Sequence, residues 1–187
     1  MEDEIIVPII FLGSSGVGKT CLINRFVSDI FEDVEPSIGL NYVPKDVNIN
    51  GKTIQLQIYD TAGQEKFQGT IPDKFFRQAR VGIICFSYLT NEYDTIESIT
   101  SDVQKYITRL YDLNPTCKVI LTATKCDLCT NDEQIEDFMK GFDYDNIIGR
   151  FLTSAKSGYQ VNDVFEKAAS IYQSIKPIQN KKEVKIN

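Results

Sequence analysis

Eight consecutive residues, Gly13-Ser14-Ser15-Gly16-Val17-Gly18-Lys19-Thr20, carry the first chemistry in this chain. They spell G-x-x-x-x-G-K-[ST] between an apolar run, Ile5–Leu12, and an amphipathic segment that holds Cys21, Leu22 and Phe26. In that strand–loop–helix setting the glycines let backbone N–H groups turn inward on the phosphates of a nucleotide. The N-terminus of the following helix adds its positive dipole end. Lys19 can reach the β- and γ-phosphates, and Thr20 can place its hydroxyl on Mg²⁺. Phosphate contacts are expected along Ser14, Ser15, Gly16, Val17, Gly18, Lys19, Thr20 and Cys21. The segment predicts a nucleoside triphosphate site.

A phosphate loop alone does not separate kinases, ATPases and GTPases, and three further segments bear on that choice. Asp60-Thr61-Ala62-Gly63-Gln64-Glu65 stands at the end of an apolar strand, where α/β sheets place ligand sites. Asp60 can hold Mg²⁺ through water, Gly63 offers a backbone N–H beside the γ-phosphate, and Gln64 can orient an attacking water. Thr124-Lys125-Cys126-Asp127 follows a later strand. A carboxylate such as Asp127 accepts from guanine N1–H and the 2-amino group, donors that adenine lacks. Ser154-Ala155-Lys156 closes the last strand and offers a backbone N–H to guanine O6.

The elements that must position these segments are legible as an alternation of strand-like and helical patterns, which predicts an α/β fold with a mainly parallel sheet. Ile5–Leu12, Val81–Ser87 and Lys118–Thr124 are continuous apolar runs of the kind buried on both faces, and residues 150–153 form a short last strand. Residues 43–50 and 53–59 alternate around Asn50-Gly51, a hairpin signal that makes these two strands antiparallel. Ile96, Ile99, Val103, Tyr106, Ile107 and Leu110 recur at helical spacing, as do Val164, Phe165, Ala168, Ile171 and Tyr172 within residues 163–175. Both stripes are read as core-facing. Pro177 is expected to end the last helix.

Composition narrows the partners. A chain of 187 residues with 42% hydrophobic and 25% charged residues is one ordinary globular domain. Its formal charge of −6 argues against a nucleic-acid surface, because the basic residues Lys181, Lys182 and Lys185 cluster only in the polar C-terminal stretch. Cys126-x-x-Cys129 has a metal-like spacing, yet the chain has no histidine and no second cysteine pair nearby, so free thiols in a reducing cytosol are expected. The N-terminus is acidic rather than signal-like, and no apolar run approaches the roughly 18 residues of a membrane span. A soluble cytoplasmic protein is expected.

Taken together, GSSGVGKTCLINRF, LQIYDTAGQEKF, FFRQA, TKCDL and TSAKSG resemble, in order and spacing, segments of the Ras superfamily and within it the Rab family of small GTPases, over about residues 5–175. The resemblance implies a P-loop GTPase fold: a six-stranded sheet in the order 2-3-1-4-5-6, with strand 2 antiparallel, flanked by five helices. It implies a GTPase domain over residues 1–177 and a flexible polar tail over 178–187. Its implied cofactors are Mg²⁺ and GTP or GDP, with Gln64 and Lys19 catalytic and Thr20, Ser37 and Asp60 (through water) at the metal. Phosphate contacts extend to Ser37 and Gly63, and Phe31, Thr124, Lys125, Asp127, Ser154, Ala155 and Lys156 hold the guanine. Ile38, Tyr42, Tyr59 and Phe75 fall where Rab proteins face effectors, and the same aromatics also suit half-buried sheet positions. Exchange factors, activating proteins and effectors would read the switch regions of a monomer, and the cellular role implied is vesicle trafficking.

Four departures from that pattern bear on function. Ser37 replaces a threonine of the first switch and lacks its β-branch. The stretch from Phe31 to Ser37 is one residue short, and one residue is added between Phe67 and Phe75. Thr124 replaces an asparagine that ties the base to the phosphate loop, an expected loss of about 1–2 kcal/mol in nucleotide affinity. The last residues, 183–187, carry no prenylation cysteine, so membrane attachment is expected only through an anchor or adaptor not in this chain. Two rival functions follow: a guanine-nucleotide-binding module with little hydrolysis, motivated by Ser37 and Thr124, and a P-loop kinase, in which DTAGQE and TKCD would be idle.

Overall fold

Alternation of side chains across a strand explains why the first run is apolar throughout. In the computed structural model, which describes residues 5–32, 39–61, 71–88 and 95–174, β1 (Ile5–Leu12) lies mid-sheet. Its Val7, Ile9 and Phe11 face one core while Ile10 and Leu12 face the other. Each side of the sheet is therefore sealed by its own helices.

The sheet has six strands in the order β2-β3-β1-β4-β5-β6. The remaining strands are β2 (Leu40–Ile49), β3 (Lys52–Thr61), β4 (Val81–Ser87), β5 (Lys118–Thr124) and β6 (Ile147–Leu152). Strands β1, β3, β4, β5 and β6 are mutually parallel, and β2 runs antiparallel to β3 with Tyr42 opposite Tyr59 and Ile49 opposite Lys52. Asn50 and Gly51 join them with φ of 53° and 79°, the two left-handed residues of a primed hairpin turn. Asn48 Oδ1 accepts from the Gly51 N–H at 3.0 Å and closes it.

One face carries α1 (Lys19–Ser28) and α5 (Val161–Ser170), which cover Val7, Ile54, Leu56 and Ile58 with Leu22, Ile23, Val164 and Phe165. Phe26 of α1 stacks on Phe165 of α5 at 3.7 Å between ring centroids. The other face carries α2 (Asp73–Gln78), α3 (Ile96–Leu113) and α4 (Asp132–Lys140). The sixfold apolar stripe predicted in α3 supplies Ile99, Val103, Ile107 and Leu110 as fully packed core, and Thr95 with Ser98 forms a capping box at its start. Asn114, just past the end of α3, donates to the carbonyls of Phe76, Arg77 and Ala79 and so holds the end of α2.

Several elements differ from the sequence reading. Strand β2 begins at Leu40 rather than residue 43, because the hairpin ladder continues to the Leu40–Thr61 pair. Strand β6 begins at Ile147 rather than residue 150, because Ile147 already pairs with Val119. The helix expected over residues 163–175 starts at Val161 and gives way after Ser170 to a 3₁₀ turn, Ile171–Ser174, which still buries Tyr172. Short helices α2 and α4 have no long stripe: α4 buries only Ile135 and Met139, one turn apart. Pro177 and residues 178–187 lie outside the described residues.

Candidate nucleotide-binding site

Because five strands are parallel, their C-terminal ends share one edge, and every predicted motif inside the described residues falls there. The loop after β1 is drawn close to β4 at Gly13. A Cβ on this glycine would lie 2.0 Å from the Cys85 carbonyl oxygen, and its φ is 138°. Only glycine fits. The loop ends at Gly18, the left-handed residue that opens α1.

Lys19 is 4% exposed, and its ammonium donates to the carbonyls of Gly13 at 2.5 Å and Ser14 at 2.9 Å. The cation thus lies curled over the inside of the loop, where phosphate oxygens would meet it. Ser15 and Gly16 at the crest are exposed, Val17 is buried beneath them, and Cys21 is half-buried one turn into α1.

Thr20 donates from its hydroxyl to Asp60 Oδ2 at 2.7 Å, bringing the first turn of α1 to the end of β3. Asp60 is 1% exposed, and among the described residues its Oδ1 has no hydrogen-bond partner. Burial pushes this carboxyl above its ordinary range, while the Thr20 hydrogen bond and the Lys19 charge pull the other way. An orphaned buried carboxylate oxygen beside a hydroxyl is the donor chemistry of a hard divalent cation, and the pair fits Mg²⁺ brought in by a nucleotide. Ser37, the third predicted metal group, lies outside the described residues, as do Ile38, Gly63 and Gln64.

The two loops expected at the base are tied to each other. Asp127 Oδ1 accepts from the Ser154 hydroxyl at 2.6 Å, and the Ser154 oxygen accepts from the Ser157 N–H at 3.1 Å. Cys126 N–H donates to the Thr153 carbonyl at 3.1 Å. Lys125 adopts the left-handed conformation, φ 56°, and its stem passes over Gly18 with Cε 4.0 Å from where a Cβ would sit. Ala155 is half-buried beside exposed Lys156, and Phe31 presents a ring that is 42% exposed beyond α1.

Thr124 stands where the resemblance has an asparagine that ties the base to the phosphate loop. The Thr124 hydroxyl, 4% exposed, lies within hydrogen-bonding reach of the Val17 carbonyl and, at 3.0 Å, of the Phe86 carbonyl. The tie between strand and loop is kept, and what threonine lacks is the amide's second donor and its acceptor.

Tyr42, Tyr59 and Phe75 form one continuous aromatic row, with ring centroids 5.4 Å and 5.1 Å apart. Tyr42 is 47% exposed and the other two are half-buried, so the row is at once sheet packing and an exposed face. Cys126 and Cys129 are free, and burial together with Asp132 and Asp127 pushes the Cys126 thiol up to about 11. No group of three metal-ligating residues occurs among the described residues.

Two contributions went unread in the sequence, one of them by a residue inside a motif. Thr61 donates to the Phe11 carbonyl at 2.6 Å and fixes the end of β3 to β1. Asp102 of α3 accepts from the Ser14 hydroxyl at 2.5 Å. Residues 88 apart in sequence leave no local signal of such a contact.

Comparison with known proteins agrees with this geometry. Residues 8–174 match the model of the Ras family. The chain is similar to the GTP-binding protein rho3 of Schizosaccharomyces pombe, 32% identical over 90% of this chain and 84% of the relative. It is also similar to the Ras-related protein Rab-1C of Dictyostelium discoideum, 33% identical over 90% of this chain and 82% of that protein. The GTP-binding protein YPT1 of Saccharomyces cerevisiae is 32% identical over 88% of this chain and 77% of its own length.

Proposed function

The chain belongs to the Ras family as a Rab-type small GTPase, a GTP phosphohydrolase, and we propose that it is a Mg²⁺-dependent, slowly hydrolysing molecular switch in vesicle trafficking. The observation that supports this reading most is the convergence, at one sheet edge, of the Lys19 ammonium, the Thr20–Asp60 pair and the Asp127–Ser154 pair. A cation for phosphate, oxygens for a metal and a carboxylate for a guanine edge are each a separate requirement of a GTP site. The trafficking role rests on the resemblance to Rab proteins.

On binding, Lys19 would exchange its loop carbonyls for phosphate oxygens, while the loop N–H groups and the start of α1 hold the same anion. Asp127 accepts from the base, which selects guanine over adenine. Thr20 and Asp60, with Ser37, would hold Mg²⁺, Asp60 through water; the chemistry it would supply is neutralisation of phosphate charge. Gln64 would orient the attacking water, and Gly63 would donate its N–H to the γ-phosphate. No arginine is placed by sequence to act in cis, so an activating protein is expected to supply that charge. Effectors and exchange factors would meet Ile38 and the Tyr42–Tyr59–Phe75 row. Membrane association would come through an adaptor or anchor; no helix among the described residues is long and apolar enough to cross a bilayer.

Single-turnover hydrolysis of bound GTP tests the switch. Gln64→Leu removes the hydrogen-bonding amide at nearly constant size, so GTP affinity should hold while hydrolysis falls at least about tenfold. Equal rates, with both proteins fully loaded, would replace the switch by a passive guanine-nucleotide-binding module.

A further inference from the structure

Three side-on supports hold the loop that carries Lys19, and two of them follow from motif residues: Gly13 is pressed on the Cys85 carbonyl, and Val17 is tied by Thr124. The third does not. Ser14 occupies one of the four unspecified positions of the G-x-x-x-x-G-K-[ST] pattern, so phosphate binding does not require its hydroxyl. Yet that hydroxyl donates to Asp102 Oδ2 at 2.5 Å, while the Ser14 carbonyl accepts from Lys19 at 2.9 Å and from the Val17 N–H at 3.4 Å. Both oxygens of Ser14 are held.

Asp102 is a fixed point for such a tether. It lies in the first half of α3, directly before Val103, which is 1% exposed in the core. Ile99 and Ile107 anchor the turns before and after it at 7% and 0% exposure. Between the loop and α3 lies a cavity of about 50 Å³, lined by Ser14, Val17, Ile99, Asp102, Val103 and Tyr106 among others. Apolar and polar side chains share this lining, and the Ser14–Asp102 hydrogen bond joins loop to helix beside it. A carboxylate is also the wrong sign to touch a phosphate, so its action on the nucleotide must pass through Ser14.

We propose that Asp102 is a positioning residue of the phosphate loop, which by holding Ser14 presets the backbone N–H groups at the exposed Ser15–Gly16 crest for the nucleotide phosphates. The idea rests on the guanine-nucleotide reading above. Its physical content is preorganisation: a loop already fixed loses less freedom on binding, and a bound nucleotide leaves more slowly.

The test measures GDP and GTP release from wild type, Ser14→Ala, Asp102→Ala, the double variant and Asp102→Asn. Each alanine variant should release nucleotide about tenfold faster, the scale of one charge-assisted hydrogen bond. The double variant should be no faster than either single one, because both remove the same contact. Asp102→Asn keeps an acceptor for the Ser14 hydroxyl and should stay within about twofold of wild type, a rescue that a general loss of helix packing would not give. Release at the wild-type rate in Asp102→Ala, or effects that multiply to about a hundredfold in the double variant, overturns the tether alone. Failure of wild type to retain either nucleotide overturns the nucleotide reading, and the tether with it.

Discussion

The Thr124 hydroxyl meets the Val17 carbonyl across 107 residues of sequence and joins the end of β5 to the middle of the phosphate loop. The same oxygen lies 3.0 Å from the Phe86 carbonyl at the end of β4. A hydroxyl has one proton, so the two carbonyls compete for it. Threonine here does part of an asparagine's work, and the parts can be separated.

Thr124→Val keeps the shape and removes the donor. GDP should then dissociate about tenfold faster, the scale of one buried hydrogen bond, with both carbonyls left without it. Thr124→Asn supplies two donors in place of one and adds an acceptor toward the base, so release should slow. The gain should be smaller than the tenfold that an absent tie would imply. Stopped-flow displacement of a fluorescent GDP resolves the three proteins, and a Thr124→Val rate equal to wild type would show the contact to be idle.

Gly13 and Gly16 separate two causes of glycine dependence. An alanine Cβ at Gly13 would lie 2.0 Å from the Cys85 carbonyl oxygen, a backbone atom that cannot step aside. Gly16 has a φ of 75° and, among the described residues, nothing within 4 Å of such a Cβ. Gly13→Ala should cost about 3 kcal/mol of stability, from overpacking plus left-handed strain. Gly16→Ala should cost about 1 kcal/mol from strain alone. At about 2–4 °C per kcal/mol, thermal unfolding without nucleotide distinguishes them. Equal melting temperatures would show that the loop stands off from β4.

Buried thiols give the protein an alkaline limit. Burial pushes both Cys85 and Cys117 up to about 12 from an ordinary value near 9. The folded state therefore keeps these protons to a higher pH than the unfolded state does. Their contribution is fully present below pH 9 and is lost as pH rises toward 12, by up to about 1.4 kcal/mol per pH unit for each thiol. Urea unfolding at pH 8 and pH 10.5 should show the loss, and Cys85→Ala with Cys117→Ala should flatten it. A thiol-specific reagent at pH 8 should leave both residues unmodified until the protein unfolds; rapid labelling of either would contradict the burial.

How much of this was legible depends on where each signal lives along the chain. Strands β1, β4 and β5 are buried on both faces, so their apolar runs stand out unaided, and Asn50-Gly51 marks a hairpin because both residues tolerate positive φ. Helix α2 was not visible, since its six residues make fewer than two turns and its ends are held by Arg109 of α3 and by Asn114 just past it rather than by side-chain caps of its own. The site was legible wherever one short segment carries a complete chemical requirement, as in Lys19-Thr20 or Asp127. It was not legible where two distant segments share one, as with Ser14 and Asp102. Thr124 shows the remaining difficulty: its identity tells which amide groups are lost, and only the folded chain places its hydroxyl beside the Val17 carbonyl of the loop.

Asp127 and Ser154 set the last prediction. The Ser154 hydroxyl donates to Asp127 Oδ1 at 2.6 Å, and Ser154 is itself fully buried and held from the Ser157 N–H. One carboxylate oxygen is thereby engaged and the group is held in orientation before any base arrives. In Asp127→Asn the serine would still donate, so the amide oxygen takes the place of Oδ1 and the NH₂ takes the place of Oδ2. The site then presents a donor where it presented an acceptor. Guanine, which donates there, should be bound at least about a hundredfold more weakly, since two charge-assisted hydrogen bonds are lost. Xanthine, which carries a 2-oxo acceptor, should be gained in its place. Adding Ser154→Ala removes the group that selects the amide orientation, so the preference for xanthine should blur while affinity for both bases stays low. Competition of labelled GTP against GTP, XTP and ATP in the three proteins decides the matter. Should Asp127→Asn still prefer GTP over XTP, the carboxylate is not the group that reads the base.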